Sequence, residues 1–272
     1  MPLKDILLHL DNTAGCPARL ELAVSLARTH NAHLTGIYVL PHQYYAPRHE
    51  IPAVEAAQKA GALFAALTGQ AGVSAEWVVA DGDVVGVSLT EILNAHVYYS
   101  DLVIVGQPEH DSLDRNTPPD LPERLGLGAG RPLLVVPHSR TFASIGERVM
   151  IAWKSGRESA RATNDALPLL EKSNRISVVT VSPAGNPDDT DRDNAARICS
   201  HLSRHGLQAC HEQIRAGSGT TVGGLLLNHA CERNVDLLVV GGYAPSRRGA
   251  YVMGPVARHL MNHMTVPVLL SH

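Results

Sequence analysis

Aromatic residues are scarce in this chain, with Phe, Tyr and Trp making up 4% of it. Its cores must therefore be aliphatic and alanine-rich. Cysteine is sparse as well. Cys16, Cys199, Cys210 and Cys231 show no CxxC spacing, and one lies in the first half against three in the second, which is not a disulfide framework. A reducing cytoplasm is the simplest setting. No apolar run approaches the roughly 18 residues of a membrane-crossing helix. Lys4, Asp5, His9 and Asp11 interrupt the N-terminal stretch, which is read as carrying no signal peptide. There is no basic block, and the net charge of −3 argues against general nucleic-acid binding. Walker A and Gly-x-Ser-x-Gly motifs are missing, and no Ser/His/Asp set can be assembled from sequence. A catalyst therefore has little residue-level support.

What is present is order. The 272 residues are 44% apolar, enough for packed cores and for one large or two ordinary domains. Ile6 to Leu10 reads as a short buried strand. Leu20, Ala23, Val24 and Ala27 then fall on one helical face. Strands are expected at Leu34–Leu40, Ala75–Ala80, Asp101–Val105 and Leu133–Val136. Helices are expected around Ala56–Leu67, Leu89–Leu93 and Glu123–Leu127, the last after a proline-rich loop that runs to Pro122. Strands that are apolar throughout, alternating with helices, point to a parallel sheet covered on both faces.

The pattern then starts again. Val149–Trp153, Ile176–Val181, Gln208–Ile214, Leu237–Val240 and Val266–Leu270 read as strands, and the helices between them include Asp191–His205 and Val222–Ala230. Asp101-Leu-Val-Ile-Val-Gly106 faces Asp236-Leu-Leu-Val-Val-Gly241, and the following proline-initiated strands keep the same offset of 135 residues. An offset preserved across loops of different sequence indicates a duplicated unit. The expectation is two Rossmann-like α/β domains, 1–140 and 146–272, each a five-stranded parallel sheet between helices.

The stretch from Asp236 to His259 carries the chemistry. A strand ends at Val240, Gly241 and Gly242, a loop carries Ser246, Arg247 and Arg248, and a helix restarts at Gly254-Pro255-Val256. A strand ending in glycine, a basic loop and a fresh helix N-terminus together suit an anion. On these residues each half resembles a universal stress protein domain, and the whole resembles a tandem universal stress protein over nearly its full length. ATP-binding members carry Gly-x2-Gly-x9-Gly-[Ser/Thr] here and an aspartate after the first strand. The resemblance implies that this aspartate side holds adenosine and the glycines and hydroxyl hold phosphates.

The match departs from that pattern. In the second half Gly241 and Gly254 keep the first and third glycines, but Ala244 replaces the second, Pro255 the hydroxyl residue and Lys154 the aspartate. In the first half Asp11 and Gly106 remain, while Glu109, Pro119 and Asp120 take the other positions. Glu109, Asp111, Asp114 and Asp120 would repel a triphosphate, so the first half is not expected to bind ATP, and the second is expected to keep more of the pocket. A nucleotide there would have Ala152, Trp153, Lys154 and Val181 around base and ribose, with phosphates toward the loop from Val240 to Val256. Asp11, Val39 and Gly106 would be the first-half remnant.

Alternatives stay open at each point. The Gly241-Gly242 pair serves equally to turn the chain, Arg247 and Arg248 equally as a solvated loop, and Asp11 equally as a helix cap. His201/His205 and His259/His263 have the i, i+4 spacing that can hold zinc, but no glutamate follows the first histidine of either pair, and they read as surface histidines rather than a metal site. Cys16 lies where a helix starts, which could lower its pKa. The functional expectation is a cytoplasmic stress-response binding or interaction protein with a degenerate adenine-nucleotide crevice. The alternative is a weakly ATP-hydrolysing, nucleotide-switched module. The partners expected are an intrachain pairing of the halves through their last strands, a homodimer, or other proteins, with no nucleic acid and no membrane.

Overall fold

The computed structural model describes residues 2–40, 50–81, 87–108, 117–182, 189–217, 219–245 and 251–272. The chain divides into two compact units, Pro2–Ala143 and Ser144–His272. The first contains β1 (Asp5–Leu10), α1 (Cys16–His30), β2 (His33–Leu40), α2 (Glu50–Ala71), β3 (Ala75–Asp81), α3 (Leu89–Val97), β4 (Leu102–Gly106), α4 (Leu121–Ala129) and β5 (Leu133–Val136). Its strands are ordered β3-β2-β1-β4-β5 and run parallel. The second unit contains β6 (Arg148–Ala152), α5 (Arg157–Leu170), β7 (Arg175–Ser182), α6 (Asp189–Arg204), β8 (Ala209–Arg215), α7 (Val222–Glu232), β9 (Leu237–Gly241), β10 (Tyr243–Pro245), β11 (Tyr251–Met253), α8 (Pro255–His263) and β12 (Val268–Ser271). Its parallel strands are ordered β12-β9-β6-β7-β8, the same order as the first unit.

The central strands are buried on both faces, as parallel sheets require. Leu102, Val103, Ile104 and Val105 are all within 1% of full burial, as are Leu237, Leu238 and Val239. Helix limits follow local chemistry. Ser88 caps α3 with a reciprocal Glu91 contact, and Thr221 caps α7 through the Gly224 N–H. Asn31 and Asn234 adopt φ of 51° just past α1 and α7, the left-handed conformation that asparagine tolerates.

The repeated aspartate has a structural reason. The Asp101 carboxylate accepts from the N–H groups of Lys4 and Asp5 at 2.7 and 3.1 Å. Asp236 accepts from Gly146, Glu147 and Arg148 at 2.9, 3.0 and 3.2 Å. In each unit the residue before the fourth strand ties down the start of the first.

Three expectations are corrected. β6 ends at Ala152 rather than Trp153. The Trp153 N–H still reaches the Val179 carbonyl at 2.8 Å, but the chain then turns through Lys154-Ser155-Gly156 into α5. The expected loop before α4 stops short of Pro122, because the helix begins at Leu121 and takes the proline into its first turn, where a missing N–H is harmless. The loop from Gly241 to Gly254 is not irregular throughout. β10 and β11 pair antiparallel, Tyr243 with Met253, Ala244 with Val252 and Pro245 with Tyr251.

Candidate functional site at the carboxyl edges of the sheets

In the second unit the strand order reverses between β6 and β9, which pair Ala152 with Val240. Ligands of open α/β sheets sit outside the carboxyl ends of the strands at such a point. Ala152 ends β6, Trp153 and Lys154 follow it, Val181 lies near the end of β7, and Val240 and Gly241 end β9. Gly242 joins β9 to the hairpin, Ala244 lies within β10, Gly254 is the N-cap of α8, and Pro255 and Val256 open that helix. Arg247 and Arg248 lie outside the described residues, as do Glu109, Asp111 and Asp114 in the first unit.

The glycines have distinct local roles. A Cβ on Gly241 would meet Glu158 backbone at 2.8 Å and the Ser159 nitrogen at 2.9 Å, so this glycine lets the first turn of α5 approach the end of β9. Gly254 has φ −64°, and a Cβ there would meet only the Gly242 carbonyl at an ordinary contact of 3.8 Å, so nothing in its own conformation requires glycine. Its N–H bonds the Gly242 carbonyl at 3.0 Å, which closes the base of the hairpin. Lys154 is exposed, and its N–H lies 3.4 Å from the Ser159 hydroxyl. The Trp153 indole nitrogen is buried and has no hydrogen-bond partner among the described residues.

A column of rings that the sequence reading did not anticipate stands beside these residues. The Arg157 guanidinium carbon lies 4.9 Å from the Tyr251 ring centre. Tyr251 lies 4.7 Å from His272, and His272 lies 5.1 Å from Tyr243. The stack joins both hairpin strands to the start of α5 and the end of β12. Burial, then the charge of Arg157, holds the His272 imidazole below its ordinary pKa, against the pull of Glu158. The only sequence signal was the pair of tyrosines spaced across the loop.

The first unit differs at the same place. The strand registers equate Leu8 with Ile151, and so Asp11 with Lys154. Asp11 is buried and accepts from the Thr13 N–H at 3.1 Å and hydroxyl at 2.5 Å. Its carboxylate pairs with the Arg19 guanidinium at 2.8 Å, both side chains being almost wholly enclosed. Arg19 also donates from Nε to the His9 carbonyl, 3.2 Å away. A Cβ on Gly106 would collide with Arg19 Nη1. The guanidinium thus lies directly over the end of β4, at this unit's own reversal point. Asp11 does not cap α1, whose N-cap is Gly15. Val39 lies in β2, half-buried, beside Tyr38, whose hydroxyl donates to Asn12.

Burial alone would raise the Asp11 pKa, but Arg19, His9 and Thr13 outweigh it and hold the carboxyl below its ordinary value. Burial, aided by Arg19 and opposed by Asp11, lowers His9 to about 4, so the imidazole is neutral. The helix start does not activate Cys16. Burial raises its thiol, and Arg19 opposes that only in part.

These geometries can be set beside known proteins. No protein-family model and no curated protein matches the chain. Solved structures do. A universal stress protein from Archaeoglobus fulgidus DSM 4304 superposes with a TM-score of 0.76 at 15% identity, covering 98% of this chain and 97% of its own. The fold is that of a universal stress protein. A putative universal stress protein from Pseudomonas aeruginosa UCBPP-PA14 gives 0.60 at 17% identity, over 99% of this chain and 93% of its own. A functionally unknown protein from Pseudomonas aeruginosa PAO1 gives 0.63 at 17% identity, over 99% and 92%. Within that universal stress protein fold, no helix among the described residues is long and apolar enough to cross a membrane.

Proposed function

We propose that this chain is a tandem universal stress protein that binds a ligand rather than transforming one, and that its halves have parted in role. The observation that carries this reading is the buried Asp11–Arg19 pair over Gly106. The first half fills its own crevice with a guanidinium, and a nucleotide would have to break a buried ion pair to enter. A buried charge left without its partner costs about 3–5 kcal/mol. The second half has exposed Lys154 where the first has Asp11, and an indole N–H with no partner beside it. We assign the ligand role to this second half, with an adenine nucleotide as the class of ligand. Its base and ribose lie against Ala152, Trp153, Lys154 and Val181, and its phosphates face the loop from Gly241 to Gly254. Four unpaired cysteines suit a cytoplasmic setting.

The test is a titration with ATP and with adenosine. Tryptophan emission in a Trp77→Phe chain reports Trp153 alone. ATP is expected to change that emission, and Gly254→Asp to weaken the change by placing a carboxylate beside the phosphates. Equal affinity in the Gly254→Asp chain would remove the site from this loop, and nuclear resonance shifts confined to first-half residues would reverse the assignment of roles.

We propose further that the halves pair within the chain through their last strands. β5 and β12 are apolar and stand at the end of each unit's strand order, and an open apolar edge invites aggregation. Residues 1–140 expressed alone should be insoluble or dimeric, and a stable soluble monomer would overturn the pairing.

A further inference from the structure

The two histidine pairs share one spacing and differ in geometry. On α8 the rings of His259 and His263 stack, with centres 4.3 Å apart and planes inclined by 21°. Lone pairs lie in the ring planes, so near-parallel stacked rings aim them side by side rather than at a common point. One nitrogen is also engaged, because His263 Nδ1 lies 2.9 Å from the His259 carbonyl. His259 also packs against α7, where a Cβ on Gly223 would meet its ring.

The pair at the end of α6 is arranged otherwise, with His201 in its last turn and His205 just past its last residue, Arg204. His201 and His205 meet edge to face, with centres 4.8 Å apart and planes inclined by 66°. Two imidazoles sharing one ion through bonds of about 2.0–2.1 Å, at angles between square and tetrahedral, have ring centres about 4.5–5.2 Å apart. The rings already stand at the separation an ion requires. A third donor comes from the neighbouring helix. The Asn164 amide nitrogen donates to the Ala160 carbonyl at 2.8 Å, which fixes the side chain so that its oxygen faces outward. That oxygen is in a long hydrogen bond with His201 Nε2, 3.4 Å away, which is also about the separation of two ligands at a tetrahedral angle on one ion. Asn164 and His205 are exposed and His201 is half-buried, so solvent can complete a coordination shell.

We propose that His201, His205 and Asn164 form a binding site for a divalent transition metal ion of the nickel, copper or zinc class. Two imidazole nitrogens and an amide oxygen are the ligands such borderline ions accept, while magnesium and calcium prefer oxygen sets. The ion would tie α5 to α6 in the second unit. Arg197 and Arg204 stand one turn to either side of His201 along α6 and oppose a cation. They are exposed and reach into water, which sets the site at modest affinity. The site is independent of any nucleotide, because it is built at α5 and the C-terminal end of α6 rather than at strand ends.

Calorimetric titration of the full chain with nickel tests the site, because nickel binds imidazole well and does not oxidise the thiols. His201→Gln and His205→Gln are expected to weaken the strongest site by about 100-fold and Asn164→Ala by about tenfold, the range over which neighbouring contacts tune metal affinity. His259→Gln and His263→Gln should leave it unchanged. Paramagnetic broadening should begin at residues of α5 and α6. Unchanged nickel affinity in His201→Gln, or broadening that begins at α8, would overturn the proposal. Matching helical circular dichroism separates lost ligands from lost fold.

Discussion

The two halves share a strand order and a repeated aspartate clamp, yet they close their carboxyl edges by different means. The first uses a buried charge pair, Asp11 with Arg19, seated on Gly106. The second brings the backbone of α5 against Gly241 and covers the edge with a hairpin held by stacked rings. In both units the glycine at the end of the fourth strand makes room for the first helix of its unit, for a side chain of α1 in one case and the main chain of α5 in the other. The glycine therefore records a packing need shared by both halves, and its survival alone says nothing about phosphate. What separates the halves is the residue after the first strand. An aspartate there recruited an arginine from α1, and a lysine there did not.

Removing the arginine should break the comparison most sharply. Arg19→Leu strands the Asp11 carboxylate in an enclosed site, and a loss of about 3–5 kcal/mol in urea unfolding is expected. Lys154→Leu, at the exposed equivalent, should stay within about 0.5 kcal/mol. Equal effects would show that the first-half pair is not the closure it is taken for.

Acid should separate the halves next. His9 has a folded pKa of about 4 against an ordinary 6.5, so the unfolded chain takes up a proton that the folded chain refuses. The stability it contributes is complete above pH 6.5 and is lost as pH falls toward 4. At about 1.4 kcal/mol per pKa unit that loss approaches 3 kcal/mol. His9→Gln should flatten the slope of stability between those values, and an unchanged slope would place the titration elsewhere.

The glycines come third. Gly241→Ala drives a methyl into the backbone of Glu158, which cannot swing aside, and about 1–3 kcal/mol should be lost. Gly254→Ala makes only an ordinary contact at a comfortable φ and should cost under about 1 kcal/mol. Thermal melts of the two variants rank them directly.

The smallest effect expected lies at the far edge of the second sheet. Glu212 gathers Ser177, Arg175, His229 and Arg233. Burial raises its carboxyl, but Ser177 and the surrounding cations outweigh that and lower it. Its contribution is thus present at neutral pH and lost as pH falls below the ordinary glutamate value. Glu212→Gln should cost about 1 kcal/mol, because the site is partly open to solvent, and an acid midpoint unmoved by the change would count against it.

The alternation of apolar strands and helices was legible because parallel strands buried on both faces leave continuous runs such as Leu102–Val105 and Leu237–Val240. The duplication was legible because the clamp and the strand after it recur at one offset. Arg19 was not, although a signal existed. It lies three residues after Cys16 and four before Ala23, on the apolar stripe of α1, where a charge demands a partner. Asp11, eight residues earlier, was that partner. The hairpin escaped because strands of three residues, one of them ending in Pro245, give too short a run to show a period of two. The ring column needed the fold itself, since Arg157, Tyr243, Tyr251 and His272 come from separate elements.

The aspartate clamps set the order in which each unit can assemble. Asp101 holds an N–H 97 residues upstream, and Asp236 holds one 90 residues upstream. A first strand emerging during synthesis has no such anchor for its leading end until the first three strands and helices of its unit have been made. Contacts so distant along the chain are late and slow to form. The leading end of each sheet is thereby fixed by a residue that follows the unit's third helix, and a fragment cut short of residue 101 or 236 would lack the group that fixes where its sheet begins.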